Sequence, residues 1–546
     1  MSPPREPNSD TQGLDQLSPF QLKDQLIQAA KAHARQSPGA HAMLNAGRGN
    51  PNWIATTPRE AFFILGLFGL SESRRVWDEA DLGGMPEKAG IADRFRAFLA
   101  EAGTGPGVDL LRRSLDYATG PLGFEADAFV HELADAIIGD NYPEPDRMLV
   151  HTEKVVQRYL AKTMCDDRPP SDTLDLFAVE GGTAAMCYVF DSLLENRILA
   201  RGDTIALGTP IFTPYLELPR LDDYGFETVE IAQGRMVDGR HAWQYADEEI
   251  DKLLDPAIKA FFLVNPSNPA SYAIDPATQA RIVKLVKEKR PDLIILTDDV
   301  YGTFSEGFRS LAADLPRNTI LVYSYSKHFG CTGWRLGVIG LHRQNILDEK
   351  LAALPEADRK RLNERYGSLS LTPEKIRFID RLVADSRAVA LNHTAGLSLP
   401  QQVQMMLFSL FALLDADDAY ARRCRAIVHE RLAALSKGLG MPIPDDPLRV
   451  AYYVDIDLAV WGRKAIGDSF QDYVQAHHAP LDIVMALAKK HGTVLLNGSG
   501  FDGPPWSVRV SLANLDTASY EAIGRDLQAV TEQAVAEWRA AGSKKG

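Results

Sequence analysis

Short apolar runs alternate with longer amphipathic segments between about residues 170 and 340. The runs at 174–179, 204–207, 260–264, 293–297 and 319–323 have the length and composition of buried strands. The segments between them have the apolar spacing of helices. Strands that alternate with helices are typical of an α/β domain with a mostly parallel sheet. The pattern predicts such a domain at the centre of the chain.

Helical patterns dominate the regions on either side. They cover residues 20–35, 58–138 (interrupted by glycine-rich loops), the charged segment 342–390, and one long segment from 401 to about 437. After about residue 450, strand-like runs at 451–456 and 507–512 alternate with helices. We therefore expect an N-terminal arm with part of a small domain (1–125), a large domain with a helical insertion (126–400, insertion 342–390), and the rest of a small α+β domain (401–546).

Composition narrows the class of protein. The 546-residue chain has a net charge of −14, which disfavours general binding to nucleic acid or to anionic membranes. Its four cysteines form no C-x-x-C pair, and the first 16 residues are polar and proline-rich, unlike a signal peptide. The longest apolar stretch, 405–414, is too short to cross a bilayer. We expect a disordered N-terminal arm, a cytoplasmic location and no metal site.

The segment 324–337 (SYSKHFGCTGWRLG) carries the most specific chemistry. Lys327 follows a predicted strand and stands among small and turn-forming residues, which suits an amine that reacts with an aldehyde. Ser324 and Arg335 suit a phosphate group, because a guanidinium binds phosphate bidentately. A solvated surface lysine is the alternative interpretation. An aldehyde cofactor with a phosphate tail is pyridoxal 5'-phosphate. The segment resembles the cofactor-lysine segment of aspartate-aminotransferase-like enzymes of fold type I.

The resemblance extends to the residues that would surround the ring of the cofactor. It implies that Asp298 keeps the pyridine nitrogen protonated, and that Tyr301 and Asn268 donate toward the phenolic oxygen. Asp299 competes with Asp298, but it better fits a turn cap after the strand. Phe212 occupies the place of the ring-stacking aromatic, with simple core packing as an equal alternative. The sequence departs from the family's N-P-x-N-P-T-G motif by having Ala-Ser at 270–271.

The phosphate and the substrate have candidate partners as well. Gly182 and Thr183 follow a predicted strand and open a predicted helix, whose N-terminal N–H groups and dipole attract anions. The resemblance implies that Tyr142 reaches the phosphate of a neighbouring subunit, which would place the site at a dimer interface. It also implies that Arg509, within an apolar strand, binds the substrate α-carboxylate.

The motif L-N-A-G-R-G-N-P-N-W at 44–53 and the length of the chain resemble the aspartate 4-decarboxylase branch of this family. That branch converts L-aspartate to L-alanine and CO2, with transamination to keto acids as a side activity. Arg48 and Gly49 then become candidate substrate-binding residues, with Arg48 acting on the β-carboxylate; an ordinary surface arginine is the alternative. Arg387 and His393 are weaker candidates for the distal carboxylate. The resemblance also implies a homodimer at least, built into a larger homo-oligomer.

Two other functions compete with this interpretation. The first is a plain aspartate or aromatic aminotransferase with insertions. The second is a transcription regulator that uses the same fold as a ligand sensor, but residues 1–120 contain no basic cluster of the kind that binds DNA. The insertion 342–390 has no catalytic signature. It could cover the site or extend the assembly, and its mixed charge is typical of a solvated helical face.

Overall fold

The computed structural model describes residues 19–36, 43–170, 173–391 and 395–543, so the predicted N-terminal arm lies outside the described residues. The first part of the described chain contains α1 (Pro19–Gln36), β1 (Leu44–Asn45), α2 (Thr56–Val76), β2 (Asp78–Glu79), β3 (Leu82–Gly83), α3 (Ile91–Glu101), α4 (Pro106–Thr119), α5 (Ala126–Ile138) and α6 (Val150–Met164). The central part contains β4 (Leu174–Val179), α7 (Gly182–Glu195), β5 (Thr204–Thr209), α8 (Thr213–Glu217), β6 (Glu227–Ala232), β7 (Met236–Val237), β8 (Arg240–His241), α9 (Asp247–Asp251), β9 (Ile258–Val264), α10 (Pro276–Lys289), β10 (Ile294–Asp298), α11 (Leu311–Asp314), β11 (Thr319–Ser324) and β12 (Gly337–His342).

The C-terminal part begins with the insertion and ends with a long helix. Its elements are α12 (Ile346–Ala352), α13 (Glu356–Arg365), α14 (Phe378–Asp385), α15 (Leu399–Leu414), α16 (Ala419–Leu439), β13 (Tyr453–Asp457), α17 (Leu458–Ala465), α18 (Asp468–His477), α19 (Pro480–Ala486), β14 (Thr493–Val494), β15 (Leu496–Asn497), β16 (Ser507–Ser511) and α20 (Thr517–Ser543). Within the described ranges, none of these helices combines the length and the apolarity that crossing a membrane requires.

A seven-stranded sheet in the order β4-β12-β11-β10-β9-β5-β6 forms the centre of the molecule. Only β12 runs antiparallel to its neighbours, β4 and β11. Successive strand residues face opposite layers: Phe177 and Val179 join the apolar cluster that contains α7, whereas Leu176 and Ala178 join the cluster that contains α6 and α15. Burial on both faces explains the continuous apolar runs. The prediction of an α/β fold with a mostly parallel sheet is confirmed.

A second layer forms around the antiparallel sheet β13-β16-β15. Helices α16 and α20 pack against each other there, and β1 pairs in parallel with β14, so the beginning of the chain joins its C-terminal part. Helices α2 to α5 instead share an apolar cluster with α15. The helices expected over 58–138 are confirmed, and the boundaries assigned to the domains stay a prediction.

The helical segment predicted from 401 to about 437 is helical but consists of two helices. The chain forms α15 and α16, and the break falls at the Asp-rich segment 415–418, where Asp418 adopts a φ of 49°. The Asp415 carboxylate accepts a hydrogen bond of 2.9 Å from the N–H of Tyr420 in the first turn of α16. Aspartate side chains compete with helical hydrogen bonds in this way, and the apolar periodicity does not register it.

The insertion packs against the large domain through α14. Phe378 and Leu382 enter the same apolar cluster as α7, and α14 contacts α7 directly. Helix α13 is mostly exposed, with Leu362 as its buried residue, as the mixed charge indicated. The insertion therefore stabilises α7 by packing against it.

Candidate active site

A cavity of about 310 Å³ opens where β4, β5, β9, β10 and β11 end. The carboxyl ends of parallel strands are where open α/β sheets bind their ligands, because loops from several strands converge there. Most of the residues predicted from the sequence line this cavity: Arg48, Gly49, Gly182, Thr183, Phe212, Asn268, Asp298, Tyr301, Ser324, Lys327, Arg335 and Arg509.

Lys327 lies in the turn after β11 and points toward the loop that contains Gly49. Its Nζ donates a hydrogen bond of 3.1 Å to the carbonyl oxygen of Gly49. A Cβ atom on Gly49 would lie 2.4 Å from the Tyr453 hydroxyl and 3.3 Å from the lysine Nζ. A side chain at position 49 would therefore displace groups on the wall of the cavity.

Asp298 ends β10 as a buried carboxylate at the bottom of the cavity. Its Oδ2 accepts a hydrogen bond of 2.7 Å from the Tyr215 hydroxyl, and its Oδ1 accepts one of 3.2 Å from the N–H of Val300. Burial raises the pKa of Asp298, and the hydrogen bond from Tyr215 opposes that rise. Within the described residues no salt bridge neutralises this carboxylate. Phe212 lies above Tyr215, with the two rings edge to face at 5.3 Å.

Arg335 and the N-terminus of α7 form the opposite end of the cavity. Arg335 adopts a φ of 54°, and its guanidinium donates to the carbonyl oxygens of Thr332 at 3.0 Å and of Glu180 at 3.2 Å. Gly181 has a φ of 93°, and a Cβ there would lie 2.4 Å from Arg335 Nη2. The glycine thus allows the guanidinium to approach the free N–H groups of α7, beside the Ser324 hydroxyl. Such an arrangement binds anions.

Arg509 is the central residue of β16 and is buried under the cavity. Its Nη1 donates to Asn268 Oδ1 at 3.1 Å, and its Nη2 donates to the carbonyl oxygen of Gly47 at 3.0 Å. The guanidinium packs over the rings of Tyr453 and Phe501, at 4.4 and 4.7 Å from their centroids. Its Nε lacks a hydrogen-bond partner in the described structure. A buried guanidinium with this spare donor fits a carboxylate ligand.

The comparisons with known proteins agree with this geometry. Residues 177–525 match the sequence model of the family described as aminotransferase class I and II. The chain belongs to this family. The cofactor of the family is pyridoxal 5'-phosphate.

Similarity to one relative extends over almost the whole chain. The "Bifunctional aspartate aminotransferase and L-aspartate beta-decarboxylase" of a Pseudomonas species is 48% identical over 539 residues, which cover 98% of this chain and 100% of the relative. An aspartate aminotransferase of Rhizobium meliloti (strain 1021) is 26% identical over 182 residues, 32% of this chain and 41% of that protein.

Solved structures support the fold. The crystal structure of the Rhizobium meliloti aspartate aminotransferase has a TM-score of 0.57 at 16% identity, with 96% of this chain and 99% of that chain covered. Bna3p, a putative kynurenine aminotransferase of Saccharomyces cerevisiae, has a TM-score of 0.57 at 14% identity, with 97% and 100% covered.

The cavity of this aminotransferase-family chain fits the cofactor in three respects. The buried Asp298 carboxylate forms no salt bridge with the described residues, and a protonated ring nitrogen would provide one. The N-terminus of α7 with Arg335 suits a phosphate. Lys327 lines the same cavity as these two features and Arg509, so its amine faces the space that the cofactor would fill.

Positive charge dominates the cavity although the whole chain is acidic. Among the described residues that line it, the cationic ones are Lys23, Arg48, Lys327, Arg335 and Arg509, and the acidic one is Asp298. Arg48 is exposed at the rim and forms no ion pair with the described residues. Such a lining suits a ligand that carries several negative charges.

Three sequence candidates do not line the cavity. Tyr142 lies on the loop between α5 and α6 with 71% of its surface exposed. Arg387 forms an ion pair of 2.6 Å with Glu180, and its Nη1 donates to the Tyr188 hydroxyl at 2.9 Å. His393 lies outside the described residues.

Sequence reasoning missed several lining residues, among them Lys23, Tyr215, Ser326 and Tyr453. Tyr215 follows Phe212 by one helical turn, which is a usable signal once Phe212 is placed in the site. Lys23 gives no such signal, because it lies on an ordinary amphipathic helix far from the rest of the site in sequence. Only the packing of α1 against the C-terminal layer brings it to the cavity.

Proposed function

We propose that this protein is a pyridoxal-phosphate-dependent L-aspartate 4-decarboxylase, which forms L-alanine and CO2 and transaminates aspartate as a side activity. The observation that carries the proposal is the 48% identity with the Pseudomonas bifunctional protein over 98% of this chain. The cationic lining of the cavity supports it, because aspartate carries two carboxylates and the cofactor carries a phosphate.

When bound, pyridoxal phosphate supplies an aldehyde that condenses with amines and a ring that takes up an electron pair. In this proposal Lys327 holds the cofactor covalently, and Asp298 holds the proton on the ring nitrogen. Asn268 and Tyr301 donate toward the phenolic oxygen. The remaining contacts are assigned to Phe212 on the ring face and to Gly182, Thr183, Ser324, Arg335 and the Tyr142 of a neighbouring subunit at the phosphate.

Arg509 and Lys327 would act on the α-carboxylate and the Cα of the substrate, which all amino acids share. Arg509 binds the α-carboxylate through the donors that now face Asn268 and the cavity. Once the substrate amine has displaced it, the Lys327 amine moves the proton at Cα. Both groups line the same cavity, so the proton transfer would occur in the space where the carboxylate binds.

Arg48 would act on the β-carboxylate, together with Gly49, which leaves room for the substrate. Arg48 is exposed at the rim, so its attraction for a carboxylate is weakened by solvent. That weakness suits a decarboxylase, because a tight ion pair at the β-carboxylate would hold back its departure as CO2. Closing the cavity against water would favour alanine over hydrolysis to a keto acid.

Product analysis with aspartate as the sole substrate tests the function directly. The purified holoenzyme is incubated with L-aspartate, and CO2, alanine and keto acids are quantified over many turnovers. We expect CO2 and alanine in equal amounts, with a small amount of keto acid. A plain aminotransferase would stop after one turnover without a keto-acid acceptor, and that result would contradict the proposal.

The role of Arg48 has its own test. Arg48→Ala should lower the decarboxylation rate by about tenfold or more while leaving the affinity for the cofactor unchanged, since general positioning effects of this size are typical. Arg74→Ala, which removes an exposed arginine of α2 outside the cavity, is the control. Equal rates for Arg48→Ala and the parent enzyme would exclude the role.

We also propose a homo-oligomer larger than a dimer, located in the cytoplasm. What supports assembly is an apolar stripe on α2, where Phe63, Leu67 and Leu70 are 62%, 62% and 45% exposed at helical spacing. Tyr142, exposed and outside the cavity of its own chain, is consistent with a role across an interface. Light scattering at working concentration tests this, and a mass equal to a dimer would count against the larger assembly.

A further inference from the structure

Tyr453 is a buried residue at the start of β13, and its side chain reaches the cavity. Its hydroxyl accepts a hydrogen bond of 3.0 Å from the Tyr301 hydroxyl. Its ring packs against the Arg509 guanidinium, 4.4 Å from the centroid. Contacts at both the hydroxyl and the ring therefore fix the orientation of Tyr453.

The proton of the Tyr453 hydroxyl is available to a ligand. A phenol has one O–H donor and can also accept hydrogen bonds. In the described structure this oxygen accepts from Tyr301, and its own O–H has no acceptor there. When Tyr301 turns its single O–H to the cofactor, as proposed above, the Tyr453 O–H is the donor that remains beside the substrate. A hydroxyl on a cavity wall whose proton has no acceptor is available to hydrogen-bond a bound substrate.

The same hydroxyl lies close to the reactive amine. The position that a Cβ on Gly49 would occupy lies 2.4 Å from the Tyr453 oxygen and 3.3 Å from Lys327 Nζ. Both groups thus approach one small region, with Arg509 beside them. A substrate whose α-carboxylate binds Arg509 would have its Cα near the amine and its next carbon within reach of the phenol.

Loss of CO2 from aspartate requires a second proton, at the β carbon, besides the one that Lys327 moves at Cα. The amine carries the proton that leaves and returns at Cα, whereas the carbon that loses the carboxylate needs a second proton. Resting on the function proposed above, we propose that Tyr453 is the general acid that protonates the β carbon of the substrate.

The step balances in atoms and charge. The bond between the β carbon and the carboxylate breaks, CO2 leaves without the bonding electrons, and these electrons form the new C–H bond with the proton of the Tyr453 hydroxyl. The phenolate then recovers a proton from solvent when the product leaves. This agrees with the net reaction, in which aspartate takes up one proton to become alanine and CO2.

Tyr453→Phe tests the role, because it keeps the ring under Arg509 and removes only the hydroxyl. Tyr452→Phe is the matched control. Tyr452 is also buried and beside Tyr301, but its hydroxyl donates to the carbonyl oxygen of Gly49 at 2.8 Å and does not line the cavity. Three quantities are measured for each holoenzyme: alanine formation, keto-acid formation in a single turnover, and binding of the unreactive dicarboxylate succinate by calorimetry.

For Tyr453→Phe we expect alanine formation to fall by about 100-fold or more, the usual effect of losing a general acid. Keto-acid formation should fall much less, so that the ratio of alanine to keto acid drops. Succinate binding should stay within about threefold of the parent, because the stacking under Arg509 remains. Tyr452→Phe should keep the parent ratio.

Two results would overturn the role of Tyr453. The first is a Tyr453→Phe enzyme with the parent ratio of alanine to keto acid. The second is a loss of succinate binding as large as the loss of alanine formation, which would make the phenol a positioning group. A parent enzyme that releases no CO2 from aspartate would instead overturn the proposed function itself, and this role with it.

Discussion

The Tyr215 hydroxyl donates a hydrogen bond of 2.7 Å to Oδ2 of Asp298, and both side chains are buried beneath the cavity. Burial favours the neutral form of a carboxyl group, whereas a donated hydrogen bond favours the anion. Tyr215 thus helps to keep Asp298 ionised, and only the ionised form can hold a proton on a pyridine nitrogen.

Replacing Tyr215 by phenylalanine should weaken the binding of pyridoxal phosphate by about tenfold or more, the effect of a hydrogen bond to a charged group. Titration of the apoenzyme with the cofactor, followed by absorbance, measures this. Tyr224→Phe is the control, since it removes a tyrosine–aspartate hydrogen bond of 2.8 Å to Asp191 outside the cavity. Equal affinities for the Tyr215 variant and the control would refute the role of Tyr215.

The affinity of the apoenzyme for the cofactor should also depend on pH in a defined direction. The pKa of Asp298 is raised by burial, so the carboxyl group gains its proton at a higher pH than an exposed aspartate does. Cofactor affinity should therefore fall as the pH is lowered through this raised pKa. In Tyr215→Phe the fall should begin at higher pH, because the opposing hydrogen bond is absent. An unchanged profile would contradict this account.

Asp455 should make stability depend on pH. Burial raises the pKa of Asp455 to about 7, while Ser507, His241 and Arg509 lower it only in part and Asp457 adds to the rise. The folded protein therefore binds a proton that the unfolded chain releases. The stabilisation is complete below the ordinary aspartate pKa and is lost as the pH rises through about 7.

Asp455→Asn removes this titration and keeps an acceptor for the Ser507 hydroxyl, which lies 3.0 Å from the carboxylate. Relative to the parent, its melting temperature should rise from about pH 4 to about pH 7 and change little above that. Thermal denaturation across this range is the measurement. A difference between the two proteins that stays constant with pH would argue against the titration.

Gly49 should tolerate no side chain. The methyl group of Gly49→Ala would lie 2.4 Å from the Tyr453 hydroxyl, so this loop or the phenol must move. A shift of about 1 Å in a catalytic group can lower activity by about 100-fold, and we expect a loss of that order in kcat/KM for aspartate. Gly333→Ala, where the added methyl meets nothing within 4 Å, is the control and should retain activity. Similar activities for both variants would exclude a steric role.

Asp385 should anchor the insertion to α7. Its side chain is 1% exposed and accepts hydrogen bonds from Ser192 at 2.7 Å, Asn196 at 2.9 Å and Arg365 at 3.0 Å. Asp385→Ala removes the buried carboxylate that these donors share, which should lower the free energy of unfolding by about 3–5 kcal/mol. Glu195→Ala removes the exposed partner of Arg365 and should lower the free energy of unfolding by less than about 1 kcal/mol. Equal losses in chemical denaturation would contradict the anchoring.

The order of elements and many candidate site residues could be predicted from the amino-acid sequence. The apolar runs gave the strands β4, β9, β10 and β11 to within two residues, because strands buried on both faces need continuous apolar side chains. The resemblance to the family's motifs named Asn268, Asp298, Lys327 and Arg335 as candidates, and all four line the cavity.

Long-range packing in the folded chain brings distant residues together to complete the cavity. Lys23, Tyr215 and Tyr453 reach it because α1, α8 and β13 pack around the strand ends, and no local pattern encodes packing between segments so far apart in the chain. The break between α15 and α16 was also hidden from the sequence, because a side-chain hydrogen bond of Asp415 outweighs the apolar periodicity there. Short sequence motifs identify the reactive residues, whereas the residues that surround them in the cavity are brought there by long-range contacts.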